Sequence, residues 1–258
     1  MQNDLSNEQR FTGKAGIYNK FRSSYPKAMI DYLYSAVGFG EDSVVADVGS
    51  GTGIFSRLLL EAGSRVIGVE PNDDMRGIAE NELGGKFEKF TSIKASAEHT
   101  GLPDGSVDFV TAAQAFHWFD AAAFKIECRR VLKPAGRVVL VYNSRDYESE
   151  FIKKDFAIRK KYCVDTKGLA VTDIVEDELN LFFENGYEKK IFNNDLILSK
   201  EAYVGMNLSR SYSPRENEHP VQYNGLVNEL QQLFDEYRAD GTNGTINFPQ
   251  YTIIYIGS

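Results

Sequence analysis

Three glycines alternate with small polar residues in Gly49-Ser50-Gly51-Thr52-Gly53, directly after the apolar run Val44-Val45-Ala46-Asp47-Val48. Glycine adopts backbone angles closed to other residues and lets a ligand approach the main chain with no Cβ in the way. A strand that ends in such a loop delivers it to the carboxyl edge of a parallel sheet, where open α/β folds bind ligands. A tight strand-to-helix turn is the plainer reading, but it requires fewer glycines. The dinucleotide fingerprint G-x-G-x-x-G fails here, because Ile54 stands where its last glycine belongs. The P-loop pattern fails too, since no Lys-Ser or Lys-Thr follows. Downstream, Glu70 closes the next apolar run, where a carboxylate can accept two charge-assisted hydrogen bonds from a ribose diol. An ordinary exposed carboxylate at a strand end is the alternative. A second cluster, Gln114-Ala115-Phe116-His117-Trp118-Phe119, combines an imidazole with the only tryptophan.

These residues need a scaffold, and the pattern around them supplies one. Short apolar runs at 43–48, 65–70, 91–95, 107–112 and 137–142 read as buried strands. Helical spacing fills the gaps: Ile54 to Ala62, the set Met75, Ile78, Ala79 and Leu83 stopped by Gly84-Gly85, and Ala121 to Leu132. Lys133-Pro134-Ala135-Gly136 reads as a turn. Strand alternating with helix in this way predicts a doubly wound, mostly parallel sheet with helices on both faces. Residues 1–40, rich in aromatics (Phe11, Tyr18, Phe21, Tyr25, Tyr32, Tyr34), predict two helices broken at Pro26. Residues 146–167 are charged and helical in pattern, and 179–197 suggest a helix, a stop at Gly186 and a strand. Leu226, Leu230, Leu233, Phe234 and Tyr237 mark an amphipathic helix, and 251–256 a closing strand. Two late strands flanking a helical insertion then complete a seven-stranded sheet.

Residues 44–142 resemble the class I S-adenosylmethionine-dependent methyltransferases, which share the G-x-G-x-G loop with Asp47 two residues upstream, then Glu70-Pro71 leading to Met75. Leu102-Pro103-Asp104-Gly105, the run to Val110, and Leu132-Lys133-Pro134 are similar as well. Many members carry Gly-Asp-Ala-Glu where this chain has Ala95-Ser96-Ala97-Glu98, with the aspartate bound to the adenine amino group. Ser96 takes that place and offers no charge, while Ala97 keeps its backbone N–H. The Gln114–Phe119 segment and Tyr18-Asn19-Lys20-Phe21-Arg22-Ser23-Ser24-Tyr25-Pro26 resemble small-molecule enzymes, including trans-aconitate methyltransferase-like proteins.

The resemblance implies a Rossmann-like methyltransferase fold in one domain, 1–258, with 1–40 as a helical lid and about 146–223 carrying helical insertions near the acceptor pocket. It implies S-adenosylmethionine as cofactor, held by Asp47, Gly49, Ser50, Gly51, Gly53, Glu70, Pro71, Ser96, Ala97 and Gln114, with Tyr18 and Arg22 from the lid. The acceptor, an unidentified small molecule, would meet Phe116, His117, Trp118, Tyr25, Tyr212 and Arg210. Trp118 would favour the sulfonium by a cation–π contact of about 0.5–2 kcal/mol, or simply pack at a helix start. His117, at an ordinary pKa near 6.5, suits a general base worth about 10²–10⁴ in rate. A pocket wall or hydrogen-bond partner is the competing role, because alignment alone can supply roughly 7–11 kcal/mol. A nicotinamide-dependent oxidoreductase and a non-catalytic cofactor-binding protein stand as alternative functions.

Bulk properties agree with this frame. The 258 residues suffice for one sizeable domain, with 42% hydrophobic and 26% charged residues. A net charge of −8 repels phosphate backbones, so nucleic acid is not the expected partner. Cys128 and Cys163 lack C-x-x-C spacing, and the start MQNDLSNEQRF lacks the flank and core of a signal peptide. No apolar run approaches the ~18 residues needed to span a bilayer. A cytoplasmic protein without membrane partners is expected. His99, His117 and His219 lie too far apart, without suitable carboxylates, to predict a metal site.

Overall fold

The computed structural model describes residues 13–165, 176–238 and 244–258. Its centre is built by the short apolar runs. β1 (Val44–Val48) pairs in parallel with β2 (Arg65–Val69), Val44 opposite Arg65 and Val48 opposite Val69. β3 (Phe90–Ile93) adds outside β2, while β4 (Val107–Ala113) lies on the other side of β1 and β5 (Leu132–Arg145) beyond it, all parallel. β9 (Gln250–Gly257) runs antiparallel to β5, and β6 (Glu188–Asn193) antiparallel to β9. The seven-stranded order is β3-β2-β1-β4-β5-β9-β6. The chain winds outward in both directions from β1 and β4, so the loops leaving these two strands diverge and a crevice opens between them.

Alternation along the strands feeds both faces. Ala46, Val48, Val110, Ala112 and Leu140 join one apolar cluster with Phe124, Cys128 and Val131 of α5 (Ala121–Val131) and Leu179 and Phe182 of α7 (Glu176–Phe182). Val45, Val66, Phe109, Val139 and Val141 point the other way, against Met29 and Ile30 of α2 (Lys27–Tyr32) and Phe55 and Leu59 of α3 (Ile54–Glu61). A sheet buried on both faces needs near-continuous apolar strands, and these have them. α4 (Asp73–Ala79) and α5 start at side-chain caps: Asn72 accepts from the Met75 N–H, and Asp120 from Ala122 and Ala123.

A third apolar cluster joins α6 (Glu150–Tyr162), α8 (Lys200–Leu208), α9 (Pro220–Tyr237) and a two-stranded ribbon of β7 (Leu196–Ser199) and β8 (Thr245–Phe248). The insertion between β6 and β9 therefore shares a core with α6, which precedes β6. α1 (Ala15–Phe21) rests on α8, where the Phe21 ring fills the space in front of Gly205; a Cβ there would lie 2.6 Å from the ring. Lys14 Nζ ties the start of α1 to the carbonyls of Arg210 at 2.8 Å and Ser213 at 2.7 Å. The break between α1 and α2 falls at Pro26, which caps α2.

Two details differ from the sequence reading. Lys133–Gly136 lies inside β5 as a bulge, because Val107 faces Leu132 while Phe109 already faces Arg137. Asp108 pins it, accepting from Lys133 Nζ at 2.8 Å and from the Val44 N–H at 2.9 Å. The β7–β8 ribbon was not expected, its four-residue strands being too short to show a period. Phe11 and residues 166–167 lie outside the described residues.

Candidate functional site

The three loop glycines do three different jobs. All have positive φ: 68° at Gly49, 56° at Gly51 and 80° at Gly53. A Cβ on Gly49 would stand 2.6 Å from Ala115 Cβ and 3.0 Å from the Phe119 ring, so this glycine lets β1 and the segment after β4 touch. A Cβ on Gly53 would stand 2.6 Å from Leu83 Cδ1, which makes Gly53 a packing glycine behind the loop. Only Gly51 faces open space, with nothing within 4 Å of an added Cβ.

That space belongs to a crevice of about 390 Å³ at the carboxyl edge of β1, β2 and β4. Glu70 lines it and fastens the loop, its Oε2 accepting the Gly51 N–H at 2.9 Å and its Oε1 the Asn72 N–H at 2.9 Å. An ionised carboxylate offers about four acceptor sites, more than these two bonds use. Ser50, Pro71, Ser96 and Ala97 line the same space, as do Gln114 and Trp118. Tyr18, Arg22 and Tyr25 reach it from the N-terminal helices, with the Arg22 guanidinium 5.1 Å above the Tyr18 ring. Gln114 holds φ 57°, a conformation uncommon outside glycine, with its Nε2 donating to the Asn143 carbonyl at 3.1 Å. The turn out of β4 is thereby fixed against β5.

Asp47 borders the crevice from beneath. Its carboxylate is buried and accepts from Ser56 Oγ at 2.6 Å and Thr111 Oγ1 at 2.9 Å, linking β1 to α3 and β4. Burial raises its pKa to about 6, against the pull of those two hydroxyls. The native state thus keeps a proton that the unfolded chain releases near pH 4, so stability falls as pH rises from about 4 to 6 and is flat above. Asp47→Asn should remove that slope, leaving the melting temperature equal to wild type near pH 4 and higher at pH 7.5. At about 1.4 kcal/mol per pH unit, the gain is at most roughly 3 kcal/mol. A variant less stable than wild type at pH 7.5 but not at pH 4 would show that the ionised carboxylate is a net stabiliser.

Several residues assigned from sequence sit elsewhere. Phe116, at the head of the 3₁₀ turn Phe116–Trp118, is 2% exposed and packs on Phe182 at 4.8 Å, while Phe119 lines the crevice in its stead. His117 stands just behind the lining, with Nδ1 3.2 Å from the Tyr142 hydroxyl and its backbone N–H donating to the same oxygen at 3.1 Å. Burial, with Arg22 nearby, lowers its pKa to about 4, so the ring is neutral at physiological pH. Tyr212 and Arg210 are not in the lining; the buried Tyr212 hydroxyl accepts from Arg159 of α6 at 2.7 Å, with the Arg210 guanidinium nearby. Thr52, Asn72 and Met75 line the crevice without having been assigned to the site, and the buried Thr52 hydroxyl has no partner. Their signal was adjacency to the glycine loop and to Glu70-Pro71.

Residues 46–140 match a family model described as "Methyltransferase domain". An uncharacterized methyltransferase of Mycobacterium tuberculosis is 36% identical over 144 residues, 56% of this chain and 56% of the relative. An uncharacterized methyltransferase-like protein of Schizosaccharomyces pombe is 34% identical over 146 residues, again 56% of each. The chain spans about half the length of the curated relatives it matches. Among solved structures, a candidate type II methyltransferase from Anaeromyxobacter dehalogenans superimposes with a TM-score of 0.61 at 26% identity, covering 92% of this chain and 97% of that one. Phosphoethanolamine N-methyltransferase 2 of Haemonchus contortus shares the fold at a TM-score of 0.54 and 16% identity, over 97% of this chain and 57% of that one. Among the described residues no helix is long and apolar enough to cross a membrane.

Proposed function

We propose that this chain, in which residues 46–140 form a methyltransferase domain of the class I fold, transfers a methyl group from S-adenosylmethionine to a small-molecule acceptor. The observation that carries the reading is the meeting of open backbone at Gly51 with the Glu70 carboxylate in one crevice at the switch point of the sheet. Its volume, about 390 Å³, lies within the range of small-ligand sites.

The residues fit an adenosyl group. Glu70 offers lone pairs for a ribose diol, Gly51 offers approach without a side chain, and the unpaired Thr52 hydroxyl offers one more polar contact. Asp47, Gly49, Ser50 and Pro71 complete the loop side, with Gly53 behind it. Ser96 and Ala97 face the adenine end, and Gln114, Tyr18 and Arg22 the methionine end, where Arg22 suits a carboxylate; among the described residues it has no ion-pair partner. The Haemonchus protein of the same fold is described in complex with S-adenosylhomocysteine, which supports the choice of cofactor. When bound, S-adenosylmethionine supplies an electrophilic methyl group on a sulfonium. Trp118 and Tyr25 wall the acceptor side. A His117 ring with pKa about 4 serves as a hydrogen-bond partner of Tyr142 better than as a base, which suits an acceptor that is already nucleophilic.

The test is calorimetry and thermal melting with S-adenosylhomocysteine and, separately, NAD. Ligand at 100-fold excess over its dissociation constant should stabilise the fold by about 2.7 kcal/mol. Glu70→Ala removes charge-assisted acceptors worth about 1.5–3 kcal/mol each, so its affinity for S-adenosylhomocysteine should fall at least about 100-fold. Stabilisation by NAD alone, or full affinity in Glu70→Ala, would overturn the proposal.

A further inference from the structure

Beside the third cluster, α6, the end of β5 and the segment after α8 bring together more positive charge than their one carboxylate balances. Asp155 of α6, fully buried, receives Arg159 Nε at 2.8 Å, the Tyr203 hydroxyl at 2.8 Å and Asn207 Nδ2 at 3.2 Å. Arg145, at the carboxyl end of β5, brings its Nε to 3.8 Å from the same carboxylate. Arg159 donates from Nη1 to the Tyr212 hydroxyl at 2.7 Å. Arg210 makes a third guanidinium against one carboxylate.

Their donors are not used up. Arg145 Nε and Nη2, Arg159 Nη2, Arg210 Nε and Gln250 Nε2 are buried without a hydrogen-bond partner, and Gln250 sits opposite Arg145 on the β5–β9 ladder. Buried donors in folded proteins are nearly always satisfied, so several left open around one carboxylate mark a place for an acceptor from outside. Guanidinium forks fit carboxylate and phosphate oxygens by geometry as well as charge. Burial and the neighbouring Arg145, Arg22 and Arg159 push the Arg210 guanidinium well below its ordinary pKa range. Burial raises the Tyr212 hydroxyl, but Arg210, Arg159 and Arg145 outweigh it and bring the pKa down to about 8, with Asp155 opposing them. Both effects express the same uncompensated field. The cluster adjoins the crevice through the backbone: Arg145 follows two residues after Asn143, whose carbonyl holds the crevice residue Gln114, and Lys14, one turn before the crevice residue Tyr18, donates to the Arg210 carbonyl.

We infer that Arg145, Arg159 and Arg210 receive a carboxylate or phosphate group of the methyl acceptor, held beside the crevice by their unpaired donors. This rests on the methyltransferase reading and names the chemical class of its acceptor. Arg210 is the least buried of the three.

Calorimetry with succinate and with inorganic phosphate, at ionic strength held constant with sodium chloride, tests it on the full chain. Titrations are run with and without saturating S-adenosylhomocysteine. One probe is expected to bind saturably, succinate if the group is a carboxylate and phosphate if it is a phosphate. Arg210→Gln, at the least buried of the three, is expected to weaken that binding at least tenfold. A phenolate absorbance titration gives a second readout: a tyrosine ionising near pH 8, absent in Tyr212→Phe, should move up by a pH unit or more when the anion is bound. Absence of saturable binding by both probes, or unchanged binding in Arg210→Gln, overturns the inference even where S-adenosylhomocysteine binds. Failure of S-adenosylhomocysteine to bind, with the anion still bound, overturns the cofactor reading alone.

Discussion

Gly51→Asn is expected to cost at least 100-fold in affinity for S-adenosylhomocysteine in a protein that melts within a few degrees of wild type. Gly49→Asn is expected to do the opposite, lowering the melting temperature first. Asparagine is the informative replacement because it tolerates positive φ better than most side chains, so backbone strain is small at both positions. The pair then differs in what surrounds the new side chain. At Gly51 there is nothing within 4 Å of the added Cβ, and the side chain projects into the crevice, where it would exclude a ligand without touching the fold. At Gly49 the Cβ meets Ala115 Cβ at 2.6 Å and the Phe119 ring at 3.0 Å. Overpacking of this kind costs about 1–3 kcal/mol, or several degrees for a chain of this size. Thermal melts and calorimetry on the two variants read both quantities. If Gly51→Asn binds S-adenosylhomocysteine as wild type does, the crevice is not the cofactor site, and the proposed function loses the observation it stands on.

The contrast between these two glycines also shows what sequence conveys. The G-x-G-x-G spacing marks the loop, and β1, β2 and β4 around it are short apolar runs of five to seven residues, bounded by turns, that hydropathy alone outlines. The division of labour among Gly49, Gly51 and Gly53 depends on Ala115, Phe119 and Leu83, which come from other elements and cannot be read from spacing. The same limit applies to Phe116 and Phe119. The segment reads as aromatic throughout, and only the 3₁₀ turn decides which ring enters the core and which faces the crevice.

The arginine cluster was the least legible part. Arg145, Asp155, Arg159 and Arg210 belong to a strand, a helix and a loop, and each taken singly looks like a solvated surface charge. Phe151, Ile152, Asp155 and Arg159 share the buried face of α6, so charge stands where an amphipathic pattern would place apolar residues. Hydropathy therefore counts this face as polar and leaves residues 146–167 as charged helix of unknown purpose. Residues such as Arg210 and Tyr212 are noticeable in sequence as candidates, but nothing in the sequence places Arg159 beside them, where it bonds the Tyr212 hydroxyl.

Asp155→Asn is expected to destabilise the protein by about 3–5 kcal/mol at pH 7, because it strips the counter-charge from buried guanidiniums. For a chain of this size that corresponds to roughly 6–20 °C in melting temperature. The pH dependence has a definite sign. Burial alone would raise the Asp155 carboxyl, but Arg159 and Arg145, with the hydrogen bonds from Tyr203 and Arg159, hold it below the usual aspartate range. The native state therefore releases this proton more readily than the unfolded chain. Its contribution is complete above about pH 4 and is lost as pH falls below that value. Asp155→Asn should lack this part of the acid limb, whereas Asp47→Asn should lose a slope of opposite sign between about pH 4 and 6. Two buried aspartates thus separate by environment: one is held by hydroxyls, the other by cations. If the guanidiniums accept an external anion, succinate or phosphate, whichever binds wild type, should also recover part of the stability lost in Asp155→Asn, beyond any effect of sodium chloride at the same ionic strength. An Asp155→Asn protein as stable as wild type at pH 7 would mean that water reaches these cations, and that the open donors of Arg145 and Arg159 exert no pull on an acceptor.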